Sequence, residues 1–231
     1  MAFYSCDNIG ALDCFKTTGE IVEEEVFLDA FHAIEALDEV DVYLFHSTEQ
    51  KVVIKAGRNL IPKIDLNVEE GILSVENRNS CNWRRSPENP GIYIYSDQID
   101  SIAIFDYANI YAQPLLDLEN LRLYSDGTGN FDMHVDIDSL YIESVYISNF
   151  RLEGSARFLS IEITDDSKIL AKNLTVDYIE IDHNGSNGVE VFPVKSLAGV
   201  LESTGNLYFY HAPEELDITV RSSGKVVDMS R

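Results

Sequence analysis

The sequence predicts an all-β fold: a parallel β-helix, or solenoid, of about seven coils of ~19 residues, preceded by a less regular β N-terminal part. Two rulers and one alternation carry this prediction. The first ruler is the leading aliphatic of a recurring motif, at Ile102, Leu121, Leu140, Leu159, Ile179, Leu197 and Leu216, with steps of 19, 19, 19, 20, 18 and 19 residues. The second is an apolar anchor at Ile110, Phe131, Phe150, Ile169, Val189, Leu207 and Val226, with steps of 21, 19, 19, 20, 18 and 19. Around each ruler apolar and polar residues alternate, as in Leu159, Ile161 and Ile163 against Ser160, Glu162 and Thr164. A period of two marks a strand with one buried face. Two short strands per repeat cannot bury their own faces, whereas stacked repeats bury one another's. An antiparallel sandwich gives a similar turn rhythm but has no reason to hold one period on two rulers.

In chain order, residues 1–19 form an N-terminal tether or linker, 20–97 the less regular β region, and 98–231 the repeats, the last two being one continuous domain. Within 20–97, Val40, Val42 and Leu44 alternate with Asp41, Tyr43 and Phe45, and Val52, Ile54 and Ala56 alternate likewise. Ile64, Leu66 and Val68, then Leu73 and Val75, flank Glu69-Glu70-Gly71, a hairpin signal. Ile92 and Ile94 mark one more strand, and only Asp29 to Glu39 hints at helix. This region is expected to cover the N-terminal end of the stack, where an open edge invites aggregation. In the repeats, Asn109, Asn130, Asn149 and Asn206 each precede an anchor. Asn tolerates left-handed backbone, and a column of such side chains can hydrogen-bond along the stack. Lys225 to Met229 breaks the alternation and reads as a polar, charged cap.

With 231 residues, 45% hydrophobic and 25% charged, the chain can bury a sizeable core. Seventeen Lys and Arg against 40 Asp and Glu give a net charge of −23, which excludes nucleic acid and anionic lipid as primary partners. No apolar run approaches the ~20 residues of a membrane span, so membrane contact is expected only through a lipid anchor.

Catalytic chemistry finds little support. Glu162, Glu180 and Asp182 lie on neighbouring coils as a glycosidase pair would require, but a solvated acidic face explains them better. His32, His46, His134, His183 and His211 are scattered without ligand spacing, and His183, in Asp-His-Asn-Gly, reads as a turn residue. No nucleophile elbow, phosphate loop or dinucleotide fingerprint is present, so no catalytic residue, metal or cofactor is expected. Among outward-facing aromatics are Tyr111, Tyr124, Tyr141, Tyr146 and Tyr208. Rings of this kind stack on sugars, although tyrosine also simply suits a half-exposed sheet. Trp83, Arg84 and Arg85, with Tyr124 and Tyr141, form the candidate contact patch.

Three cysteines stand at positions 6, 14 and 81. Phe3-Tyr4-Ser5-Cys6 has the form of the end of a bacterial lipoprotein signal, with Cys6 as the acylated residue, but a signal sequence is not present as written. Cys14 and Cys81 are either paired, in an oxidising compartment, or two ordinary thiols.

The order Asp13-Cys14-Phe15-Lys16-Thr17-Thr18-Gly19, Phe31-His32-Ala33-Ile34, Asn59-Leu60-Ile61-Pro62-Lys63-Ile64 and Cys81-Asn82-Trp83-Arg84-Arg85-Ser86 resembles the putative auto-transporter adhesin head GIN domain family of Bacteroidetes envelope proteins. The likeness covers roughly residues 13 to 225. It implies a β-helical domain without established activity, a lipidated Cys6 and a Cys14–Cys81 disulfide. The expected protein is therefore a non-enzymatic lipoprotein of the cell envelope, periplasmic, outer-membrane-associated or surface-exposed, that acts in binding or adhesion toward a glycan or a surface protein. The alternatives are a structural protein polymerising through its solenoid ends, against which the charged terminal coil speaks, and a carbohydrate-active β-helix enzyme.

Overall fold

The computed structural model describes residues 17–80 and 89–231. Sixteen strands follow one another among them: β1 (Ile21–Val26), β2 (Ala33–Leu37), β3 (Val40–Phe45), β4 (Lys51–Gly57), β5 (Ile64–Glu69), β6 (Ile72–Asn77), β7 (Gly91–Tyr95) and β8 (Ser101–Ile104). Then come β9 (Ala108–Ser125), β10 (Gly129–Ser144), β11 (Ser148–Ile163), β12 (Lys168–His183), β13 (Val189–Leu201), β14 (Leu207–Phe209), β15 (Glu215–Val220) and β16 (Val226–Asp228). A single 3₁₀ turn, Ile61–Lys63, is the helical element of the described residues, and Asp29 to Glu39 holds strand β2 instead of a helix. No helix among the described residues is long and apolar enough to cross a membrane.

From β9 to β13 the strands run parallel, each paired with the coil before and after it. This is the predicted solenoid, with one difference: each of β9 to β13 is a single long strand that carries both rulers. Strand β10, for instance, includes Phe131 and Leu140. The strand bends between them, and there the alternation slips, so that Ser139 and Leu140 are both buried. A bend with two consecutive inward residues lets the chain turn a corner without ending the hydrogen-bonded ladder.

The registers match the rulers almost throughout. Ile110, Phe131, Phe150, Ile169, Val189, Leu207 and Val226 are successive partners, as are Leu121, Leu140, Leu159, Ile179, Leu197 and Leu216. Ile102 is the exception: it pairs with Leu123, not Leu121, so the first step is two residues longer than the ruler predicts. Gln113, Pro114 and Leu115, all exposed, take up the extra length where the β9–β10 register shifts between Met133 and Val135.

Inside the coils, like stacks on like. The Phe131 and Phe150 rings are fully buried and parallel, 4.6 Å apart with 5° between their planes. On the outside of one turn the predicted asparagine column forms for three of its four members. Asn149 donates to Asn130 (3.1 Å), Asn130 to Asn109 (2.7 Å), and Asn109 to the Asp41 carboxylate (2.8 Å), which Asn89 also reaches. Asn206 instead bonds the Tyr208 hydroxyl and the Lys225 amide. At another corner the buried hydroxyls of Ser125 and Ser148, and of Ser144 and Ser167, pair at 2.6 Å.

His183 is the last residue of strand β12 and not the turn residue its neighbours suggest. Its side chain is fully buried, with Nε2 2.9 Å from the Asn187 carbonyl oxygen and Nδ1 accepting from the Gly185 amide. Burial is the main influence on its pKa and pushes it below the ordinary value of 6.5. The unfolded chain therefore binds the proton better than the fold does. Unfolding free energy is expected to fall as pH drops below about 6.5 and to stop falling once pH is under the native value. Denaturant titrations between neutral and mildly acidic pH check this, and His183→Gln should flatten that part of the profile.

The N-terminal strands extend the same sheet less regularly. Strand β3 lies parallel between β7 and β9, and β2 parallel between β6 and β8. The coil of residues 33–45 is thus covered on its N-terminal side by strands that come later in the chain. Beyond them, β4 adds antiparallel to β7 and β1 antiparallel to β4, and β5 adds antiparallel to β6. The β5–β6 hairpin is the predicted one: Glu70 and Gly71 both have positive φ (52° and 81°), as its two-residue turn requires. At the C-terminal end strand β15, which precedes the expected cap of Lys225 to Met229, leaves Leu216 and Val220 50% and 43% exposed.

Candidate functional site

The outward side of the bend in β9 to β12 is concave. Its groove, of about 530 Å³, crosses four successive coils and is lined by acidic and hydroxyl side chains. Asp117, Asp136, Ser155 and Thr175 are register partners, so they form a row with one group per coil. Neighbouring coils lie about 4.8 Å apart, the strand spacing of any sheet. The Ser155 hydroxyl donates to Asp136 at 2.7 Å.

Beside this row runs a line of charge pairs. Arg157 grips Asp138 with two parallel hydrogen bonds, 2.5 and 2.8 Å, and Lys195 reaches Asp177 at 2.7 Å. The guanidinium, helped by the Ser139 hydroxyl, holds the Asp138 carboxyl down at about 2. The hydrogen bond that Lys195 donates to the Asp177 carboxylate in turn raises the Lys195 pKa. Each pair joins one coil to the next.

Three aromatic rings border these charges. Phe158 and Tyr178 are register partners, and Tyr141 tilts against Phe158 with centroids 5.8 Å apart. Tyr141 and Tyr178 remain 38% and 40% exposed. The Arg122 guanidinium lies 5.8 Å from the Tyr141 ring centre and the Lys195 ammonium 5.2 Å from that of Tyr178. Both phenols are near enough to act electrostatically on Arg157. Exposed rings beside fixed carboxylates, a guanidinium and hydroxyls combine an apolar platform with directed hydrogen bonds.

The sequence-predicted residues meet different fates. Tyr141 belongs to this surface. Tyr124 does not: it is half-buried, packs against Phe105 at 5.8 Å, and its phenol pKa is raised by burial, with Asp126 and Glu143 adding to the effect. Tyr111 joins a stack with Tyr43 and Tyr93, spaced 5.0 and 4.7 Å, in which the rings cover one another's faces and leave little for a ligand. Cys6, Cys14, Cys81, Trp83, Arg84 and Arg85 lie outside the described residues. Glu162 and Asp182 are register partners with Glu180 beside them over a shallow depression, and none of the three takes part in an ion pair among the described residues. No cluster of three or more His, Cys, Asp or Glu among the described residues is arranged to hold a metal.

Phe158, Tyr178 and the two charge pairs escape the sequence reading. A signal for the pairs existed: Asp138 precedes Arg157 by 19 residues and Asp177 precedes Lys195 by 18, so opposite charges recur one coil apart.

Residues 30–213 match a family model described as putative auto-transporter adhesin, head GIN domain. A putative adhesin from Bacteroides fragilis NCTC 9343 has a similar crystal structure, with a TM-score of 0.81 at 18% identity over 90% of this chain and 97% of that one. A putative lipid binding protein from Parabacteroides distasonis ATCC 8503 superimposes with a TM-score of 0.65 at 13% identity, over 90% and 97% of the two chains. A putative adhesin from the same organism gives 0.64 at 15%, over 91% and 97%. At these identities the likeness is one of fold. No curated protein matches the chain.

Proposed function

The chain belongs to the putative auto-transporter adhesin, head GIN domain family, and from that premise we propose that it is a non-enzymatic binding protein of the cell envelope that grips glycans through the bend groove. The tether of this proposal is a lipid on Cys6, and Cys14 and Cys81 pair as a disulfide. One observation carries the glycan assignment. Tyr141 and Tyr178 stand exposed near Arg157, which holds Asp138 at the groove, and the Asp136 and Ser155 positions of that groove form a row with one polar group per coil. A sugar offers an apolar ring face and a rim of hydroxyls, which suits an aromatic flanked by planar hydrogen-bonding groups. A repeating ligand can engage several coils at once.

The test is binding to an immobilised glycan panel, followed by titration with any hit. Tyr178→Ala is expected to weaken binding at least about tenfold, since loss of a central aromatic anchor costs ~2 kcal/mol. Arg157→Lys, which removes the fork of hydrogen bonds but keeps the charge, should weaken it less. Binding that survives both Tyr178→Ala and Tyr141→Ala unchanged would place the ligand elsewhere and end the proposal.

A further inference from the structure

Strand β15 ends one wall of the solenoid as an open edge. Its inward positions continue the core columns, Leu216, Ile218 and Val220 standing in register with Leu197, Gly199 and Leu201. Leu197 and Leu201 are fully buried, but Leu216 and Val220 are not, because no further coil covers them among the described residues. The backbone is in the same position. The Arg221 amide donates inward to the Leu201 carbonyl. Successive residues of a strand present their N–H and C=O to opposite edges, so those of Leu216, Ile218 and Val220 point away from the sheet. The other wall is blunted by contrast. Asp228 takes the position in register with Phe209 on β16, where its carboxylate accepts from Ser230, and an inward charge discourages further pairing. At the opposite end, edge strand β1 carries Glu23, Glu24 and Glu25.

We infer that β15 is a homotypic docking edge, through which two copies of this chain associate by antiparallel pairing centred on Ile218. In that register Ile218 meets its own copy, and Leu216 meets Val220 of the second chain. All of these residues have outward backbone groups, so they exchange hydrogen bonds directly. Their side chains join the two cores. On the outer face Glu215 comes opposite Arg221 of the second chain, a favourable cross-strand pair. Arg221 already bonds Glu202 in its own chain, and its guanidinium has donors enough for both. Centring on Asp217 would set that carboxylate against itself, and centring on Thr219 would set Leu216 against Ser222. The charge pattern and the apolar pattern thus select the same register. A two-fold contact of this kind is closed, so assembly stops at the dimer and does not grow into a filament. The contact does not depend on the glycan proposal or on a lipid at Cys6.

Analytical ultracentrifugation over a wide concentration range tests this. The parent chain is expected to pass from monomer to dimer, more readily at higher salt, because a net charge of −23 on each copy opposes approach. Ile218→Lys should raise the dissociation constant at least about tenfold. Glu215→Arg sets two cations opposite each other and should weaken the dimer as well, and combining it with Arg221→Glu should recover most of the loss. The charge variants alter only outer-face residues, so they decide the matter even if Ile218→Lys fails to fold. A parent that stays monomeric throughout, a dimer indifferent to both Ile218→Lys and Glu215→Arg, or open-ended growth would each overturn the inference.

Discussion

Phe150→Ala is expected to cost about 3–5 kcal/mol of stability, toward the upper end of what a large-to-small core change does. The ring is fully buried and lies flat against Phe131, so its loss removes a stacking contact together with its own burial. What sets the size of the effect is the rigidity of the site. Strands β10, β11 and β12 hold their spacing by ladders of hydrogen bonds above and below Phe150, so the coils cannot settle into the space left behind. The cavity term therefore persists. Denaturant unfolding followed by circular dichroism measures the change, and a loss below about 1 kcal/mol would mean that the column is not packed as described.

Gly154→Ala is expected to destabilise by about 2–5 kcal/mol, from strain and overpacking together. Gly154 has φ of +111°, a conformation that side-chain-bearing residues rarely adopt. A Cβ there would lie 2.0 Å from the Val135 carbonyl oxygen, and Val135 is its register partner on the preceding coil. The obstacle is backbone, not a movable side chain, so relief would require separating two hydrogen-bonded coils. The same unfolding measurement applies. A nearly neutral Gly154→Ala would show that the two strands approach less closely at this bend.

Why the rulers were legible follows from the stacking itself. Each inward side chain sits on its counterpart one coil earlier, so the demand for an apolar residue recurs at the length of the coil. Ile102 shows the limit of that logic. The two extra residues near Gln113 to Leu115 leave the inward and outward parity of the chain unchanged, so alternation alone cannot detect them. His183 misled for another reason. Its neighbours Asp182, Asn184 and Gly185 have turn composition, yet it continues the inward series of Ile179 and Ile181, and that parity was the better guide. Tyr141 was readable as outward from its strand. Phe158 and Tyr178 sit where the strand bends and the alternation slips, and a period of two says nothing reliable about such a position.

By itself the sequence determined the path of the coil, because burial of an apolar face is a local requirement repeated at every turn. It also determined the β5–β6 hairpin, which depends on residue chemistry close to one point in the chain, and three members of the asparagine column, which recur at the length of the coil. Only the tertiary structure decided that the coil of residues 33–45 lies between β7 and β9, that Arg157 meets Asp138 beside an exposed Tyr178, and that β15 is left bare. Those outcomes turn on which distant segments become neighbours. Pairing between strands is set by the sum of contacts across a whole wall, and no single stretch of chain carries that sum.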